Sequence, residues 1–138
     1  MGSQNPQDPA QIGYHPPMPE TAGHMTATEF ADKGAVIKVT AHKLHEHESK
    51  LLIDEVHAYL ENSGVNLVAM DYSAVEFISS AALGAMVTIS KDVKARNKGR
   101  FVITGLNDDA TKVMKLTRLD RLIDIKPDMT KAQKFLLK

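Results

Sequence analysis

The chain has 138 residues, 43% of them hydrophobic and 25% charged, with 17 basic and 17 acidic side chains and no cysteine. That length and balance fit one globular domain and exclude wholesale disorder, a disulfide framework and a thiolate metal site. The zero formal charge gives no reason to expect a polyanionic partner, and no apolar run approaches the ~18 residues of a membrane span.

Five of the six prolines (Pro6, Pro9, Pro16, Pro17, Pro19) fall in the first 19 residues, a stretch without Lys, Arg or apolar periodicity. It can bury too little surface to offset its ordering entropy. Gly23-His24-Met25 has the look of a cloning junction. Residues 1–24 are therefore expected to be disordered and tag-derived, with residues 25–138 forming the domain. A proline-rich recognition arm is the other reading of the same stretch. No basic flank precedes an apolar signal-peptide core, so a cytoplasmic location is expected.

Along the domain, Ala35 to Val39 is a β-branched run opened by Gly34 and reads as a strand. Leu51, Leu52, Glu55, Val56, Tyr59 and Leu60 fall at helical spacing over 49–62, and Ser63-Gly64 is a stop signal. Helix one is expected to pack its Leu51, Leu52, Val56 and Tyr59 face onto a sheet. Val65 to Met70 suits a buried strand. Ala82, Leu83, Met86, Val87, Ile89 and Val93 mark a second helix that ends near Asn97-Lys98-Gly99. Phe101 to Ile103 is a third strand closed by Gly105. Asp109 to Thr117 reads as a third helix whose apolar residues are Val113, Met114 and Leu116. Leu122 to Ile125 is a fourth strand, and Asp128 to Leu137 a last helix with Ala132, Phe135 and Leu136 inward. Alternating strands and helices with short turns predict an α/β domain with a mostly parallel sheet of four to five strands and about four helices.

The informative stretch runs from Met70 to Gly84. An apolar strand meets Asp71, a short loop follows, and Ser79-Ser80 stand at the mouth of an apolar helix. Either serine can cap that helix by accepting from a backbone N–H two or three residues on. On residue chemistry alone, a cap is all that Ser80 need be.

This ordered pattern resembles the STAS domain, the family named for sulphate transporters and anti-sigma factor antagonists. Asp71-Tyr72-Ser73 matches its strand end, and Ser79-Ser80-Ala81-Ala82-Leu83-Gly84 matches the opening of its second helix. Gly99 and Leu116-Thr117-Arg118-Leu119 extend the resemblance over residues 30–138. The resemblance implies a non-enzymatic, cofactor-free protein-binding module. It places Ser80 on the serine phosphorylated by anti-sigma factor kinases, with Ser79 as cap or alternate acceptor. The implied partner is an anti-sigma factor serine kinase, whose binding would release a sigma factor until phosphorylation switches the contact off. The implied contact surface is His42, Leu44, His45, His47, Ser79, Ser80, Ala81, Ala82, Leu83 and Gly84. Ser79 stands where the family usually has Asp, and Ala81-Ala82 where it has Ser/Thr and Gly. The family's Gly-x-Leu-Asp turn is replaced by Ala41-His42-Lys43-Leu44-His45. These departures suit the alternative of an unphosphorylated STAS subunit docked on the ATPase of a lipid or solute transport complex.

Other chemistry has thinner support. His42, His45, His47 and His57 with Glu46 and Glu48 invite a metal reading, yet the same residues suit a solvated loop entering a helix. No metal is expected. A phosphate loop and a nucleophile elbow are both missing. Lys91, Lys94, Arg96, Lys98 and Arg100 complement a helix C-terminus, so no nucleic-acid partner is expected. Direct membrane insertion is not expected either, and the domain should be a monomer or weak dimer.

Overall fold

The computed structural model describes residues 20–21 and 23–138, so most of the leader expected to be disordered lies outside the described residues. The elements in chain order are β1 (Glu20–Thr21), β2 (Met25–Phe30), β3 (Gly34–Val39), β4 (Lys43–Leu44) and α1 (Glu46–Ser63). Then come β5 (Leu67–Asp71), β6 (Phe77–Ile78), α2 (Ser80–Lys94), β7 (Arg100–Thr104) and α3 (Asp108–Leu116). A 3-10 turn (Leu119–Arg121), β8 (Asp124–Ile125) and α4 (Met129–Leu136) complete it.

The main sheet has the order β1-β2-β3-β5-β7-β8, with β4 and β6 pairing separately. Pairings from β3 through β5 and β7 to β8 are parallel, whereas β1, β2 and β3 pair antiparallel. The α/β class, the four helices and the mostly parallel core of the sheet are as the sequence predicts. The antiparallel β2 was not anticipated. Its burial alternates only through Met25 and Ala27, a period-2 signal carried by one long side chain and one methyl.

The described chain joins the fold earlier than the expected boundary at residue 25. Glu20 and Thr21 pair with Ala27 and Thr26. The His24 backbone N–H donates to Glu55 Oε1 at 2.8 Å, and its ring Nδ1 lies 2.6 Å from Oε2.

The central strands are buried on both faces, which is why they read as continuous apolar runs. Ile37, Val68, Met70, Phe101 and Ile103 meet Leu52, Val56, Leu60, Met86 and Ile89 of α1 and α2 in the main core. Leu51 is only half-buried, so the inward face of α1 is Leu52, Val56, Tyr59 and Leu60. Ala69 and Val102 turn the other way, against Ala132 and Leu136 of α4. Arg100 and Lys126 stand 4.3 and 5.0 Å from the Phe135 ring centroid and close that smaller layer by cation–π contact.

Two sequence expectations change at the C-terminal side. Only Asp124 and Ile125 of the predicted fourth strand pair with β7; the chain before them is a 3-10 turn entered by Arg118 at φ 65°. In α3 the buried residues are Ala110 and Met114, while Val113 and Leu116 face solvent.

Candidate partner-binding face

The parallel strands β5 and β7 end at one edge of the sheet, and the loops that follow them lead into α2 and α3. At the end of β5, Asp71 Oδ1 accepts from the Ser73 N–H at 2.8 Å, a side-chain-closed turn. Tyr72 plugs that turn into the core, 1% exposed, and its N–H donates to the Thr104 carbonyl at 2.9 Å. Burial pushes the Tyr72 phenol far above its ordinary pKa. The neutral form is therefore required in the fold but not in the unfolded chain. Its stabilising share is intact below the unfolded value of about 10 and is lost as pH rises above it. Tyr72→Phe should accordingly flatten the alkaline fall in urea midpoint above pH ~10; an unchanged pH profile would refute this role.

From Tyr72 the chain is pinned against the loop after β3. Glu76 and Phe77 donate backbone N–H groups to the His42 carbonyl at 2.7 and 3.3 Å. Lys43 and Leu44 pair in parallel with Phe77 and Ile78, and the Ser79 N–H donates to the Leu44 carbonyl at 3.1 Å. The entry to α2 is thus held through backbone bonds, whichever side chains line the loop. Gly105, at φ 83°, brings the β7–α3 loop hard against this one.

The two serines separate into distinct roles. Ser79 is the cap of α2, its hydroxyl accepting from the Ala82 N–H at 3.1 Å. Ser80 is the first helical residue and is exposed. With no acidic side chain in the first turn of α2, the helix end keeps its positive potential. Ser79→Ala should cost about 1 kcal/mol of stability and Ser80→Ala almost nothing, measured by urea denaturation. Equal costs would mean that the serines share the cap.

Around α2, His42, His45 and His47 are exposed, Ala81 and Leu83 half-buried, and Gly84 exposed. Two expected contact residues are corrected. Leu44 is 1% and Ala82 2% exposed, both packed into the main core, so neither side chain is open to a partner. The histidines do not converge. His45 caps α1, where its N–H donates to Glu48 Oε1 at 3.1 Å, and His57 pairs with Asp92 at 2.8 Å across α1 and α2. Backbone N–H groups, first its own, hold the Glu48 carboxyl below its ordinary pKa. Among the described residues no three His, Asp or Glu side chains gather as a metal site.

What the sequence reading missed is a groove of about 220 Å³ beside the α2 entry. Phe77, Ile78, Leu83, Ala110 and Val113 supply its apolar lining, and Glu76, Asn107 and Asp109 its polar lining. Phe77 is 45% exposed and its ring lies 5.0 Å from that of His45. Asn107 caps α3 through the Ala110 N–H and ties its Nδ2 to the Glu76 carbonyl, joining the two loops. The available signal was the aromatic Phe77 placed directly after an acidic residue in a loop, where a core role was not required.

The STAS domain model matches residues 19–132, starting one residue before β1. This chain belongs to the STAS domain family. A Thermotoga maritima protein named "Putative anti-sigma factor antagonist" is 34% identical over 71 residues, 51% of this chain and 62% of that protein. The STAS chain thus spans less than two thirds of that curated relative. A crystal structure of a protein so named from Thermotoga maritima superposes with a TM-score of 0.69 at 27% identity, over 80% of this chain and 92% of that one. An anti-sigma-factor antagonist domain protein from Planctomyces limnophilus gives 0.70 at 19% identity, over 84% and 99%. The Bacillus cell fate determinant SpoIIAA in its phosphorylated form gives 0.63 at 12% identity, over 83% and 99%. At such identities the last two likenesses establish the STAS fold alone. No described helix is long and apolar enough to cross a membrane.

Proposed function

We propose that this STAS domain is an anti-sigma factor antagonist that works by binding rather than catalysis. Its partner in this reading is an anti-sigma factor serine kinase, and phosphorylation of Ser80 ends the contact. The observation that carries the reading is the division of labour at α2. Ser79 already supplies the cap, so the exposed Ser80 hydroxyl has no hydrogen-bonding duty among the described residues and stands at a helix N-terminus with no acidic side chain in its first turn. A phosphate of about −1.5 to −2 charge is tolerated at such an end, so its cost falls on the partner through desolvation and like-charge repulsion. The exposed Phe77 and the histidines of the β3–α1 loop extend the same face.

Affinity capture from the source organism's lysate, with mass spectrometry of both partner and bait, tests the reading. A serine kinase recovered with the chain, and phosphate mapped to Ser80, would support it. A transport ATPase recovered in its place, with Ser80 unmodified, would overturn it.

A further inference from the structure

The groove between the α2 entry and α3 has a size and a charge that identify its occupant. At about 220 Å³ it falls below the roughly 300–1,000 Å³ of small-molecule sites and matches a pocket for one anchoring side chain. Its lining is apolar along Ile78, Leu83, Ala110 and Val113, carries an exposed aromatic residue at Phe77, and includes two acidic residues, Glu76 and Asp109. No Lys or Arg lines it. The N-terminus of α3 brings a partial charge of about +0.5, which Asp108 and Asp109 in its first turn offset. Lys112 is exposed one turn further along α3 and is not part of the lining.

We propose that this groove seats an arginine side chain of the partner protein, its stem on the apolar lining and its guanidinium among Phe77, Glu76 and Asp109. Arginine answers each feature at once. Its three-methylene stem covers apolar surface, its planar cation sits favourably on an aromatic face, and its fork of N–H donors pairs with carboxylates. A purely apolar anchor would desolvate the carboxylates without pairing them. Lysine would reach them as a compact, strongly hydrated charge without the planar fork that pairs with carboxylates. The anchor rests on the proposed binding of a partner at this face and adds to it the chemistry of one contact. Ser80 does not line the groove, so the phosphorylation switch and the anchor are separable.

The test is a backbone NMR titration of the full chain with N-acetyl-arginine methylamide. Its control is N-acetyl-norleucine methylamide. Saturable shifts confined to Phe77, Ile78, Leu83, Ala110 and Val113, with arginine favoured over norleucine, are expected. The arginine response should weaken about tenfold in Glu76→Gln/Asp109→Asn and again in Phe77→Ala, with native spectra elsewhere. Equal responses to both probes, or shifts scattered over the surface, would overturn the anchor. The titration contains no kinase, so its failure rejects the anchor and leaves the kinase reading standing. Failure of kinase capture with the probe still seated rejects the kinase reading alone.

Discussion

Ser80→Asp is expected to lower affinity for the proposed kinase partner about a hundredfold, or ~2.7 kcal/mol, while leaving the urea midpoint within ~0.5 kcal/mol of wild type. The two halves of that expectation have separate causes. The fold is spared because Ser80 is exposed, Ser79 keeps the cap, and a carboxylate in the first turn of α2 complements the helix end. Binding would be lost because a charge placed inside the proposed protein–protein contact must shed water. Ser80→Ala should bind at least as well as wild type and resist inactivation by ATP. The measurement is calorimetric titration of wild type, Ser80→Asp and Ser80→Ala with the captured kinase. Indistinguishable affinities for the three would eliminate the switch.

Gly105→Ala should be the most damaging small change near the face, at a cost of about 3 kcal/mol. Its left-handed φ of 83° costs an L-residue roughly 1–2 kcal/mol. A Cβ there would also lie 2.7 Å from the Ser73 backbone nitrogen and 2.8 Å from Asp71 Oδ1. Neither can yield freely, because those two atoms are joined in the turn that ends β5. Relieving the overlap adds about 1–2 kcal/mol, an appreciable part of the roughly 5–15 kcal/mol that stabilises a domain. Urea denaturation gives the cost, and amide exchange locates it. Faster exchange at Ser73 and Tyr72 is expected, whereas a midpoint near wild type would show that the two loops are not tightly coupled.

The elements legible in the sequence are those whose burial repeats with a clear period. The apolar runs of β3, β5 and β7, the Leu52-Val56-Tyr59 stripe of α1, and Ser63-Gly64 as its terminator all carry their own signal. Gly64 takes φ 73°, which explains why a glycine stands there. The weak alternation of β2 left it unread, and the two-residue β4 and β6 are too short for any period to show. Leu116 marks the opposite failure. It fits the helical spacing of α3 but is 82% exposed, because α3 is a short element that packs only Ala110 and Met114 inward.

The α/β class, the order of the main elements and the pair of serines at the mouth of α2 are legible in the amino-acid order alone, since each depends on residues near one another in the chain. Which serine caps, the burial of Leu44 and Ala82 in the core, and the meeting of Glu76, Phe77, Asn107, Asp109 and Val113 in one groove follow from the folded arrangement. Those outcomes turn on which atoms from distant segments approach each other. Asn107 reaches the Glu76 carbonyl across 31 positions of chain, a separation over which no local period carries information.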